Sequence, residues 1–163
     1  ALNAALKGYT KMVNGIRILT SMEFPEVVDA IDETQKSQIE KLCDNCYYAM
    51  NDDFNTALTI GHLFNLLKKV NALDAGQLAF ESIGKETFER LKSTVMGFAV
   101  EVLGLKQEIN IKGESLMQTI LDEYRLAKEA KNYPKVDELR AKLKAEGIAV
   151  KDMKGKVDWA LEE

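Results

Sequence analysis

The residues best suited to chemistry lie in a basic stretch, residues 124–156. This stretch contains ten Lys and Arg against five Asp and Glu, in a chain whose net charge is −4. Cations attract phosphate, an exposed aromatic ring can stack on an unpaired base, and carboxylates accept hydrogen bonds from base N–H groups. Tyr133 supplies the ring, and the carboxylates of this stretch are Glu129, Asp137, Glu138, Glu146 and Asp152. A solvated helix face accounts for most charge runs of this kind, so the pattern alone leaves both interpretations open.

Other reactive side chains have simpler explanations. Cys43 and Cys46 have the C-x-x-C spacing of redox and zinc sites, but they lie on an apolar helical stripe without a second pair, which favours core packing. His62, the one histidine, has no nucleophile motif beside it, which favours a structural or solvent-facing role. The sequence also lacks a phosphate-binding glycine loop and a nucleophile elbow. We therefore predict no catalytic residue and no metal site.

The composition of the 163 residues, 46% apolar and 29% charged, predicts one ordinary domain or a helical domain with a small appendage. The acidic balance argues against indiscriminate nucleic-acid binding by the whole surface. Two cysteines cannot form a disulfide framework, and the sequence shows no long apolar run and no signal peptide. These features predict a cytoplasmic protein that does not enter a membrane. A helical pattern begins at once after Ala1, from which we expect a fragment of a longer protein.

Apolar spacing predicts a helical bundle over residues 1–106. The predicted helices cover residues 2–19, 25–50 (as one long helix or two shorter ones divided near 33–37), 58–70 and 88–103. The polar segment 51–56 predicts a turn that caps the third helix, and residues 74–84 a loop. Gly104 is expected to end the fourth helix.

A second, smaller unit is predicted after the bundle. Residues 107–115 are polar and without a helical stripe, which indicates a linker. In residues 116–163, two helices are interrupted at 132–134, and two short strands at 148–150 and 157–159 form a hairpin. The predicted fold class is mainly α: an antiparallel helical bundle followed by a small helix–helix–β-hairpin unit.

Two segments resemble the C-terminal half of cysteinyl-tRNA synthetase, a class I aminoacyl-tRNA synthetase. Ala49–Thr56 reads A-M-N-D-D-F-N-T and is similar to the A-M-D-D-D-F-N-T signature of that family's helical DALR domain. Residues 8–19, with Arg17, resemble the opening helix of that domain. Residues 125–159 are similar to the family's terminal pattern, which runs from R-x-x-A-R-x-x-K-D-W to G-T-x-W. The match is specific because the two segments occur in the family's order and at about the family's distance.

The resemblance implies what the parent protein does. That family attaches cysteine to its tRNA through an adenylate, using ATP and zinc in an upstream catalytic domain. The H-I-G-H and K-M-S-K-S motifs of that domain are absent here. The resemblance therefore implies that this chain supplies tRNA docking and anticodon recognition, holds no cofactor itself and is inactive alone. Its implied partners are a cysteine tRNA and the upstream catalytic domain.

The resemblance also implies site residues. The family's anticodon-contacting positions carry over to Lys128, Tyr133, Asp137 and Asp152, although the family usually has Arg and Trp at the first two. Lys lacks the bidentate fork of Arg, so a less selective contact is expected there. Further basic residues are candidates for contacts with the tRNA backbone: Arg125, Lys131, Lys135, Arg140 and Arg17.

Alternatives to these roles remain at this point. Asp137 could form a surface salt bridge with Lys135 or Arg140, and Asp152 could serve as a turn former. The whole chain could be a helical protein-interaction module without an RNA role. A freestanding enzyme is the weakest alternative, because no nucleophile, base or complete metal set can be assembled.

Overall fold

The computed structural model describes residues 2–28, 30–105, 111–153 and 156–162. In these ranges it contains seven α-helices, one π-helical segment and one antiparallel pair of strands, which confirms the predicted fold class. The elements are α1 (Leu2–Ser21), α2 (Glu33–Asn51), α3 (Thr56–Asp74), α4 (Phe80–Ile83), α5 (Lys85–Val95), the π-helical segment Met96–Val102, α6 (Ile111–Glu129), α7 (Tyr133–Ala145), β1 (Ile148–Met153) and β2 (Lys156–Leu161).

The chain divides into two compact units. The bundle unit is Lys11–Lys106, and the C-terminal unit comprises Gln107–Glu163 together with Ala1–Thr10. The domain boundaries drawn from the sequence, with a bundle over 1–106, stay a prediction.

Leu, Ile, Val and Phe side chains from α1, α2, α3 and α5 form the core of the bundle unit, as their helical spacing predicts. The cysteines of α2 belong to it: Cys43 and Cys46 are both fully buried and free, so the core-packing interpretation is confirmed. Burial raises the pKa of both thiols, that of Cys46 to about 12. Neither thiol is therefore ionised near neutral pH.

The predicted helix start at Pro25 is wrong. Residues 22–28 and 30–32 are not helical, and α2 begins at Glu33, where Asp32 caps it by accepting a hydrogen bond of 2.9 Å from the Thr34 N–H. The preceding segment is held instead by backbone bonds to the region of α4: the N–H groups of Ala30 and Asp32 donate to carbonyls of Glu81 and Ser82 at 2.9 and 2.8 Å. Residues 33–37, one of the two alternatives for a division of the predicted helix, form the first turn and more of α2.

The predicted turn before α3 is confirmed. Asn55 caps α3, its side chain accepting from the Leu58 N–H at 3.0 Å, and the turn places Asp53 and Phe54 in the left-handed region with φ of 53° and 55°. The expected loop at 74–84 contains the one-turn helix α4. The last predicted helix of the bundle changes from α to π geometry at Met96 and ends before Gly104, as expected.

In the C-terminal unit, helix α6 begins at Ile111, so residues 111–115 are helical although their sequence shows no helical stripe. The position of the linker between the domains stays a prediction. Residues 107–110 lie outside the described residues. Tyr124 of α6 is fully buried and packs with Val136 and Leu139 of α7. Strands β1 and β2 pair antiparallel from Ile148 opposite Leu161 to Met153 opposite Lys156, which confirms the hairpin. The sequence predicts the turn of this hairpin at residues 152–155, which is wrong for Asp152 and Met153, since both belong to β1. Residues 154–155 lie outside the described residues.

Candidate nucleic-acid interface

The connection between α6 and α7 presents an aromatic ring to solvent. Lys131 adopts a left-handed backbone conformation with φ of 56°, which turns the chain after α6. Asn132 then caps α7, its side chain accepting from the Lys135 N–H at 3.3 Å, and Pro134 stands in the first turn. Tyr133, at the first position of α7, keeps 61% of its surface exposed. A ring at this position is available for stacking.

Asp137 lies one turn further along α7 and is also exposed. The salt bridges considered from the sequence are not formed: Lys135 pairs with Glu123 at 3.2 Å and with Glu138 at 3.7 Å, while Arg140 bonds to the hydroxyl of Tyr124. Within the described ranges the carboxylate of Asp137 has no ion pair. It can accept hydrogen bonds from a bound molecule.

Asp152 pairs with Lys128 across two elements of the C-terminal unit. The Nζ of Lys128, in the last turn of α6, lies 2.5 Å from Oδ2 of Asp152 in β1, and Asp152 stands opposite Val157 in the hairpin. Asp152 is therefore a strand residue with a charged partner rather than only a turn former.

Lys128 and Asp152 line a groove of about 360 Å³ between α6 and the hairpin. The lining residues are Gln118, Leu121, Asp122, Arg125, Lys128, Glu129, Asp152, Met153, Lys156 and Val157. Its walls carry three cations (Arg125, Lys128 and Lys156) and three carboxylates (Asp122, Glu129 and Asp152). The groove can thus meet both the acceptors and the donors of a polar planar ligand.

The candidate phosphate-contacting cations differ in their surroundings. Arg125 pairs with Asp122 at 3.4 Å. A hydrogen bond and the charge of Glu123, with Glu138 adding, raise the pKa of Lys135, so this residue stays charged. Lys131 is exposed and has no acidic partner within the described ranges, which leaves its charge available. Arg17 is half-buried on α1 and belongs to the bundle unit.

Sequence reasoning missed two residues that shape this surface. Asn132 orients Tyr133 by capping α7, and the Asn before a Tyr-Pro pair was an available signal. Tyr124 holds Arg140, a contact across 16 positions that no local pattern indicates.

Comparison with known proteins identifies relatives of this chain. Residues 46–107 match the family model described as the DALR domain. The cysteine–tRNA ligase of Cytophaga hutchinsonii is 44% identical over 163 residues, which cover 100% of this chain and 33% of that protein. Over its whole length the chain is similar to part of the cysteine–tRNA ligases. The resemblance predicted from the sequence is therefore confirmed.

Other cysteine–tRNA ligases match over nearly the same extent. Those of Bacteroides thetaiotaomicron and Fusobacterium nucleatum are each 31% identical, covering 99% and 98% of this chain and 32% and 35% of the relatives. The chain thus spans about a third of the length of the curated cysteine–tRNA ligases it matches. Among the described residues, none of the helices has the length and apolarity that crossing a bilayer requires.

Proposed function

We propose that this chain binds a cysteine tRNA and recognises its anticodon. The observation that carries the proposal is the placement of Tyr133 and Asp137 on one face of α7. Residues four apart on a helix are neighbours, with about 5–6 Å between their Cβ atoms. Both side chains are exposed, and Asp137 has no ion-pair partner in the described ranges.

An unstacked base can use both groups at once. Its face stacks on the ring of Tyr133, and its edge donates N–H groups to the carboxylate of Asp137. Guanine and cytosine both carry suitable donors. Adenine and uracil carry a different arrangement of hydrogen-bond donors and acceptors on their edges, so the carboxylate discriminates between bases. The ring stacks on any base and therefore contributes affinity.

Phosphate attraction comes from cations around this face. Lys131 precedes Tyr133 by two residues and points its charge to solvent without an acidic partner in the described ranges. It is the best candidate for a backbone contact. Such contacts position the RNA but carry no sequence information.

Similarity to cysteine–tRNA ligases extends the proposal to the whole protein. We propose a cytoplasmic enzyme that attaches cysteine to its tRNA, in which an upstream catalytic domain uses ATP and zinc. The present chain then supplies recognition and has no ligase activity alone. Its partners are the cysteine tRNA and that catalytic domain.

Chemical footprinting of a cysteine tRNA tests the recognition role. Increasing amounts of the chain should protect anticodon bases from base-modifying reagents. The variant carrying both Tyr133→Ala and Asp137→Ala, checked for native helix content by circular dichroism, is the matched control and should lose that protection. Protection confined to other parts of the tRNA, or none, would contradict the proposal.

A further inference from the structure

We infer that Lys128 is a positioning residue, which fixes the carboxylate of Asp152 for base recognition and does not itself contact phosphate. The inference rests on the proposed function, since it assigns a task within the same surface. It separates two residues that the family resemblance groups together as anticodon contacts.

The first support is the geometry of the pair. Lys128 lies in the last turn of α6 and Asp152 lies in β1, so their 2.5 Å contact ties a helix to the hairpin. The contact uses Oδ2 of Asp152. A carboxylate has two oxygens and about four lone-pair directions, so Oδ1 can still accept from a ligand in the groove.

The second support is exposure. The side chain of Asp152 is 27% exposed and that of Lys128 49% exposed. Asp152 therefore sits on the groove wall, where its orientation is set by its partner. Fixing a ligand-binding group in advance lowers the cost of ordering it on binding.

The third support is charge. The ammonium of Lys128 faces a carboxylate at hydrogen-bond distance, so the pair carries no net charge toward an approaching phosphate. A cation that contacts phosphate releases counterions and adds to the salt dependence of binding. Lys131, with no acidic partner in the described ranges, should show that behaviour. Lys128 should not.

A double-mutant cycle tests the inference. Lys128→Met, Asp152→Asn and the double variant are titrated against a cysteine tRNA and a tRNA with a changed anticodon, each at two salt concentrations. Lys128→Met should reduce the preference for the cysteine anticodon about fivefold or more. In the Asp152→Asn background the same change should have no further effect on that preference, because the carboxylate that Lys128 positions is absent.

Three further variants sharpen the result. Lys128→Arg should retain the preference, because it restores a cation beside Asp152. Lys131→Ala should weaken binding to both tRNAs. It should also lower the salt slope, the slope of the logarithm of affinity against the logarithm of salt concentration, by about one unit or less, whereas Lys128→Met should leave that slope unchanged. Circular dichroism checks folding, and Lys128→Gln repeats the measurement if Lys128→Met does not fold.

Each contrary outcome has a distinct meaning. If Lys128→Met lowers the salt slope and reduces the affinity for both tRNAs equally, Lys128 is a phosphate contact and the inference is overturned. If its effect persists beside Asp152→Asn, Lys128 reads the base directly, which also overturns it. A wild-type chain without any anticodon preference overturns the proposed function itself, and the inference with it.

Discussion

Arg140 donates a hydrogen bond of 2.5 Å to the hydroxyl oxygen of Tyr124, and its guanidinium carbon lies 5.7 Å from the centre of the Tyr124 ring. Tyr124 is fully buried in α6, so the bond satisfies a hydroxyl that water cannot reach. It also joins α6 to α7, which carries Tyr133 and Asp137. Arg140, a candidate for tRNA contact, therefore has a structural task in the free protein.

Arg140→Ala should destabilise the α6–α7 pair by about 1–3 kcal/mol, because it leaves the buried hydroxyl without its donor. Tyr124→Phe should cost about 0.5–1.5 kcal/mol, since it removes the hydroxyl as well as the bond. Amide hydrogen exchange measures both effects. Exchange should accelerate in α6 and α7 and not in α3; unchanged rates in α6 and α7 would contradict the structural role.

Two glycines of the bundle unit should respond oppositely to alanine. A Cβ added at Gly15 would lie 2.8 Å from Cδ2 of the buried Leu67, whereas one added at Gly61 meets nothing within 4 Å. The added methyl group of Gly15→Ala should cost about 1–3 kcal/mol through overpacking. A gain in helix propensity of about 1 kcal/mol offsets part of that cost. Gly61→Ala should stabilise the unit by about 0.5–1 kcal/mol. Urea unfolding followed by circular dichroism compares them, and a shift in the same direction for both would disprove the close contact.

The stability of the bundle unit should depend on Cys46 at alkaline pH. Burial raises the pKa of its thiol from 9.0 to about 12, so between these values the folded chain keeps a proton that the unfolded chain loses. The buried, protonated Cys46 thiol contributes fully to the free energy of unfolding below about pH 9. This contribution is lost as the pH rises toward 12, at up to about 1.4 kcal/mol per pH unit.

The matched comparison is Cys46→Ala, in which all other titrating groups are unchanged. The free energy of unfolding of the wild type should fall toward, or below, that of the variant as the pH rises from 9. A difference between the two proteins that stays constant with pH would show that the folded thiol ionises normally.

Substitutions of Tyr133 should distinguish stacking from a packing role. Tyr133→Ala should weaken tRNA binding by about 1–3 kcal/mol through lost stacking, and Tyr133→Trp should preserve or strengthen it. Fluorescence anisotropy with a labelled cysteine tRNA measures both. Since the ring is 61% exposed, the melting temperature should change little in either variant. Equal binding by the Ala and Trp variants would exclude a stacking contact.

Local patterns predicted most helices of the bundle. Apolar spacing was sufficient for α3 and for the second half of α1 because those stripes face one core, whereas Leu2, Leu6 and Tyr9 of α1 are exposed. Asn55 marked the start of α3 correctly. The start of α2 was missed because backbone bonds from residues 30 and 32 to residues 81 and 82 compete with helix formation after Pro25. Such bonds join distant segments and leave no mark in the local sequence.

The candidate site was predictable in its residue types but not in its pairings. Tyr133 could be expected at the start of a helix because Pro134 follows it. The contact of Lys128 with Asp152 spans 24 positions and forms only when the hairpin folds back beside α6. The resemblance therefore implied four similar contacts, whereas the structure distinguishes the paired carboxylate of Asp152 from that of Asp137, which has no ion pair within the described ranges.

The most direct test is the ratio of two dissociation constants, for a cysteine tRNA and for the same tRNA with a changed anticodon, measured with the wild-type chain and with Asp137→Ala. We predict that the wild type prefers the cysteine anticodon about tenfold or more, and that Asp137→Ala loses about 1–3 kcal/mol for that tRNA alone. Equal affinity of the wild type for both tRNAs, or a preference that Asp137→Ala leaves intact, would contradict anticodon recognition through this face of α7.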